Sequence, residues 1–152
     1  MKTELAKWND VFAQTDKIAI ATSVNNMPNV RVVNFIHDER RPGVLYFSSD
    51  QTNAKVAEIR SNPQIALTTI PSVGNGHIRS RNAVVKKSRY SMEELQHLFV
   101  AKIPGYGEAV AAIGEDLVVL EIQMVEATLT TGFGEPVRLT FPLDSEELSS
   151  AL

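Results

Sequence analysis

Short β-prone runs follow one another along this chain with little helix between them, and that order narrows the fold more than any single motif does. Residues 17–24 (KIAIATSV), 30–36 (VRVVNFI) and 44–49 (VLYFSS) are separated only by a turn cluster at 25–29 and a charged loop at 37–43. The first two read as a β-hairpin. Residues 52–61 then switch to helical spacing, with Ala54, Val56, Ala57 and Ile59 among polar residues. Asn62-Pro63 ends that helix, because the residue before proline is pushed out of the α region. Strands at 64–71 and 77–87 follow, around a turn at 72–76. Ser91 with Glu94 forms a capping box and opens a helix to about residue 100. Residues 102–114 are irregular, with one helical turn at 108–112. Residues 116–129 read as a long strand and 137–141 as a last one. At the front, Leu5, Trp8, Val11 and Phe12 make an apolar stripe over a helix at 2–14. Six or seven strands and two or three helices, without regular strand–helix alternation, point to a mainly β (α+β) fold: an antiparallel split barrel with peripheral helices.

Length and composition bound the rest. A chain of 152 residues is one domain, 1–152, with 144–152 expected to fray. A hydrophobic content of 43% suffices for a core, and no apolar run approaches a membrane-spanning length. The net charge of −3 argues against nucleic acid as the main partner. The chain has no cysteine, so disulfides, thiolate metal sites and a cysteine nucleophile are excluded. The N-terminal residues carry no secretory h-region, so a cytoplasmic location is expected.

The usual catalytic signatures do not occur. His37, His77 and His97 lack metal-site spacing, no G-x-S-x-G elbow exists, and the Gly-x-Gly triplets at 74, 105 and 132 fit turns. No metal site is expected, and no catalytic residue can be named. The segment 45–55 (LYFSSDQTNAK) stands apart. A strand ends in hydroxyls and leads into a helix start, with Lys55 in its first turn. Unpaired N–H groups and the helix dipole favour an anion there, with Ser49, Thr52 and Asn53 as donors. An ordinary N-cap with Lys55 in solvent fits the same residues. Arg31, on the hairpin's second strand, reaches the same anion if that strand neighbours 44–49; otherwise it is an exposed strand residue.

These residues stand in an order that resembles the pyridoxamine 5′-phosphate oxidase-like flavoproteins. Ile18–Thr22 and Pro28–Asn34 look like the family's opening hairpin. Leu45–Ser49, Lys55-Val56, Ile59 and Asn62-Pro63 are similar to its next strand, helix and stop, and His77–Ala83 to its following strand. Leu120-Glu121-Ile122 and Ala127-Thr128-Leu129 look like late strands of the small, general-stress-protein-like members. The resemblance implies a homodimer holding FMN at the subunit interface. Carried over by position, Arg31 and Lys55 bind the flavin phosphate, with Ser49 and Asn53 assisting. Val32, Val33 and Asn34 line the ring by their backbone, Phe47 and Ser48 sit beside it, and His77 lies near it.

The chain departs from the oxidase proper in three places. Asn53-Ala54-Lys55 replaces its Ser-Arg-Lys, Ile36 stands where it has a lysine, and its late arginine–histidine substrate motif is absent. The expectation is therefore an FMN-dependent oxidoreductase acting on an unidentified small-molecule redox substrate, not the oxidase itself. Deazaflavin and haem are the alternative ligands that the resemblance implies. A non-catalytic flavin carrier, electron shuttle or stress-related binding module is the second reading, and a cofactor-free barrel the third.

Overall fold

The computed structural model describes residues 1–142; the tail expected to fray, 144–152, lies outside the described residues. Helix α1 (Glu4–Ala13) precedes strands β1 (Lys17–Val24), β2 (Met27–Asn34), β3 (Ile36–His37) and β4 (Val44–Asp50). Helix α2 (Ala54–Ser61) leads to β5 (Gln64–Thr69) and β6 (His77–Lys87). Helices α3 (Met92–Lys102) and α4 (Tyr106–Ile113) and a 3-10 turn (Gly114–Asp116) lead to β7 (Leu117–Thr130) and β8 (Val137–Thr140). No helix among the described residues is long and apolar enough to cross a membrane.

All strand pairs are antiparallel, in the order β2-β1-β5-β6-β7-β4-β3, with β8 on β7. The two ends of that order, β2 and β3, are joined by one residue, Phe35, which is fully buried. A sheet whose first and last strands are nearly continuous must curl on itself. No ladder joins β2 to β3 or β4 among the described residues, so the cylinder stays split along that seam.

The structure has more elements than the sequence suggests, for local reasons. The turn expected at 25–29 contracts to Asn25 and Asn26, with φ of 53° and 63°. Two adjacent left-handed residues make the tight hairpin turn that matches strand twist, and asparagine tolerates that region. Strand β2 therefore starts at Met27 and contains Pro28, which an edge strand accepts because its missing N–H serves no ladder. The single helical turn expected at 108–112 is a full helix, α4, entered through Gly105 at φ 76°. Tyr106 fastens it by stacking on Phe99, centroids 4.8 Å apart. The two-residue strand β3 falls at the border of the expected loop and is too short to leave a periodic signal.

Burial explains why β4 reads as a continuous apolar run. Leu45 and Phe47 point into the barrel core with Trp8, Phe12, Ile20 and Ile122. Val44 and Tyr46 point the other way, into a second core with Leu95, Phe99 and Ile103. A strand covered on both faces carries no polar alternation.

One buried carboxylate ties these layers together. Glu121, in the middle of β7, has no solvent exposure. It accepts from Gln123 Nε2 at 2.6 Å, Arg41 Nη2 at 3.1 Å and the Arg89 backbone N–H at 3.4 Å. Arg41 also donates to Tyr46 Oη, which donates to Asp38. The loop before β4 is thereby pinned to the sheet. Burial pushes the Glu121 carboxyl up, but these donors outweigh it and hold the group below its ordinary value.

Candidate functional site

The hairpin and α2 build one charged cluster at an end of the barrel. Arg31 stands opposite Ile20 in the β1–β2 ladder, and Thr22 stands opposite Asn29. Helix α2 lies against this hairpin, and Asn62 fixes its far end by donating to Ser23 O at 2.9 Å. Glu58 on α2 thus meets Arg31 directly, in a contact to Nη2. Thr22 Oγ1 donates to Glu58 Oε2 at 2.9 Å and receives Arg31 Nη1 at 2.9 Å. Asn29 Nδ2 donates to Glu58 Oε1 at 3.0 Å. The hydrogen bonds from Asn29 and Thr22, with Arg31 beside them, hold the Glu58 carboxyl below its ordinary value.

Lys55, one turn before Glu58, is placed by the start of the same helix. Asn53 is the N-cap, its side chain accepting from the Lys55 backbone N–H at 3.1 Å. The Lys55 ammonium donates to Ser49 Oγ at 3.2 Å and has no ion pair among the described residues. Partial burial lowers its pKa, and the nearby positive charge of Arg31 lowers it further, while Asp50 opposes both. Lys55 is thus a cation without a direct ion pair among the described residues, whereas Arg31 has one in Glu58.

Ser49, Asn53 and Lys55 lie at the junction of β4 and α2, and Arg31 lies on the hairpin against α2. Val32 follows Arg31 along β2 exposed, Val33 is nearly buried, and Asn34 donates to Asp16 O at 3.1 Å. The Phe47 ring is enclosed in the barrel core. The Ser48 hydroxyl is bonded to Tyr106 Oη, under α4. His77 begins β6, three strands from β2 in the sheet, and its Nδ1 lies 2.7 Å from Asn75 O. Thr52, a nominated donor, is already engaged: its N–H and hydroxyl both donate to Asp50 Oδ1, at 2.8 and 2.6 Å.

Sequence reasoning missed Glu58, Thr22 and Asp50. Glu58 lies three positions after Lys55, on the same helix face, and that spacing was the available signal. Its partner across the gap, Arg31, becomes evident only once the hairpin folds under α2.

Three cavities among the described residues lie apart from this cluster. One, of about 550 Å³, sits over β5, β6 and β7 and is walled by Arg79, Arg81, Arg138 and Glu126. Another, of about 480 Å³, lies at the end of α4 beside Val110 and Asp116. The third, of about 470 Å³, is lined by Phe12, His37 and Lys102 among others. Burial presses the Lys102 ammonium down to about 8, although it donates to Phe12 O at 2.9 Å and lies 3.9 Å over the Phe35 ring. That contact ties α3 to the end of α1. No group of side chains suited to hold a metal occurs among the described residues.

A protein-family model described as pyridoxamine 5′-phosphate oxidase-like matches residues 11–136. No curated protein matches the sequence. Several solved structures share the fold. A protein from Clostridium acetobutylicum related to general stress protein 26 superposes with a TM-score of 0.68 at 12% identity, over 90% of this chain and 93% of that one. A haem-binding protein from Mycobacterium smegmatis gives 0.68 at 13%, over 92% of this chain and 59% of that one. An FAD-binding protein from Mesorhizobium loti gives 0.59 at 12%, over 83% and 92%. Identities this low establish a common fold and nothing about ligand.

Proposed function

Because the chain belongs to the pyridoxamine 5′-phosphate oxidase-like family, we propose that its Arg31–Lys55 end binds the phosphate of FMN and that the protein works as a homodimeric flavin-dependent oxidoreductase. The observation that carries this reading is Lys55 at the start of α2, held by Ser49 and without an ion-pair partner among the described residues. An ammonium at a helix N-terminus, with a guanidinium on the neighbouring hairpin, suits a phosphate monoester. FMN supplies the redox chemistry when bound; the chain's own residues bind and orient. Arg31 and Lys55 neutralise the phosphate, Ser49 and Asn53 hold Lys55 in place, and the exposed edge of β2 at residues 32–34 offers backbone groups to the ring.

The exposed edge of β2 supports the homodimer in this reading. Met27, Val30 and Val32 lie exposed along edge strand β2. An unpaired edge bearing apolar side chains is a surface that a second copy would cover.

The late arginine–histidine substrate motif is absent, so pyridoxamine phosphate oxidation is not part of the proposal. Removing both cations tests it. In an Arg31→Ala/Lys55→Ala variant, each lost charge-assisted hydrogen bond costs about 1.5–3 kcal/mol. FMN affinity, read by quenching of flavin fluorescence, should fall at least a hundredfold. Unchanged affinity would sink the assignment. A non-catalytic flavin carrier remains the second reading, and rapid oxidation of reduced nicotinamide by the FMN-loaded protein would exclude it.

A further inference from the structure

The anion site carries its own anion. Glu58 reaches the Arg31 guanidinium directly and is held there by Thr22 and Asn29, so its position is fixed by three partners. Its side chain is only about a quarter exposed (24%), and that of Arg31 18%. Arg31 is therefore partly neutralised before any ligand arrives. Lys55 has no such direct partner among the described residues: its contact is a hydroxyl, and Asp50 acts on it only through space. The charged groups facing the site are Arg31 and Lys55 against Glu58 and Asp50, so the cluster is balanced overall. A bare pair of cations would take any phosphate or sulfate; a balanced one takes an anion only when the rest of the ligand adds binding energy.

We propose that Glu58 is the specificity-determining residue of this site: as the resident counter-anion of Arg31, its carboxylate holds the affinity for phosphate in check. This rests on the assignment of Arg31 and Lys55 to a phosphate. The effect is electrostatic, because a full negative charge stays within contact of the guanidinium that the ligand must share. A charge about 6 Å from a phosphate dianion changes its affinity by about tenfold when water screens the pair as in bulk. Thr22 and Asn29 are the positioning residues that keep Glu58 there.

Glu58→Gln tests this, with FMN, riboflavin and inorganic phosphate as probes. The variant keeps an oxygen for Arg31 and Thr22 and removes the charge. FMN should bind about tenfold more tightly than to the unaltered protein. Inorganic phosphate should compete with FMN at about tenfold lower concentration. Riboflavin, which lacks the phosphate, should bind within twofold of its original affinity. The FMN gain should shrink as salt is raised. A merely structural role would instead weaken FMN and riboflavin together. Glu58→Ala, which removes the charge with a different shape, keeps the test open if the glutamine variant does not fold. FMN binding that weakens or stays within twofold in the folded variant overturns the role of Glu58 alone. An unaltered protein that binds neither FMN nor phosphate overturns the anion site itself, and the proposal with it.

Discussion

Replacing Glu121 by glutamine should cost more stability than its single atom suggests. The side chain is fully buried and accepts from Gln123, Arg41 and the Arg89 backbone, with the Arg89 guanidinium at 3.5 Å. The amide leaves one oxygen for these donors and turns an NH₂ toward groups that have only hydrogens to offer. Removing one partner of a buried ion pair costs about 3–5 kcal/mol when the other is left without water. Here the arginine side chains keep 21% and 36% exposure, so they rehydrate in part and the figure falls to about 2–3 kcal/mol. In a domain of this size that lowers the melting temperature by roughly 5–10 °C. Thermal unfolding followed by circular dichroism at pH 7, with urea titration as a cross-check, measures it. The pH dependence has a definite sign. The folded-state pKa lies below the ordinary 4.5, so the folded form binds fewer protons between the two values. The stabilisation is complete above pH 4.5 and is lost as pH falls through the folded pKa. The gap between the two proteins should therefore close in acid. A loss under 0.5 kcal/mol at pH 7, on the order of an ordinary surface substitution, would refute the claim that this carboxylate pins the loop.

Two further substitutions test smaller contacts. Ser48→Ala removes the hydroxyl bonded to Tyr106 and should cost about 1 kcal/mol, while FMN affinity stays within twofold, because that hydroxyl serves α4; urea midpoints and a flavin titration check both parts. Asn26→Val places a β-branched residue at φ 63° and should destabilise the hairpin by about 1–3 kcal/mol, whereas Asn26→Gly should be neutral or better; melting temperatures distinguish them.

The sequence carried the architecture well where a strand has two unlike faces or a helix has a cap. β1 shows its alternation from Lys17 to Val24, and Ser91 with Glu94 marks the start of α3. It carried β3 and α4 poorly. β3 is held by pairing with β4 rather than by its own pattern, and α4 contains Gly107 between flanking Gly105 and Gly114 yet is fixed by Tyr106 on Phe99. The candidate site was legible in its cations and not in its anions. Arg31 and Lys55 stand at family spacing, but the neutralising role of Glu58 depends on α2 crossing the hairpin, a contact between residues 27 positions apart. The positions of Phe47 and Ser48 depended on which face of β4 each occupies, and a strand buried on both sides does not reveal that.

The central claim is that this chain holds FMN by its phosphate. The most direct measurement is to mix purified protein with FMN, pass it through a sizing column with light scattering, and record the visible spectrum of the protein peak. The account expects flavin absorbance at about one FMN per chain in a peak with the mass of a dimer. A colourless protein peak with all the FMN in the small-molecule fraction, or a protein that takes up haem and ignores FMN, would contradict it.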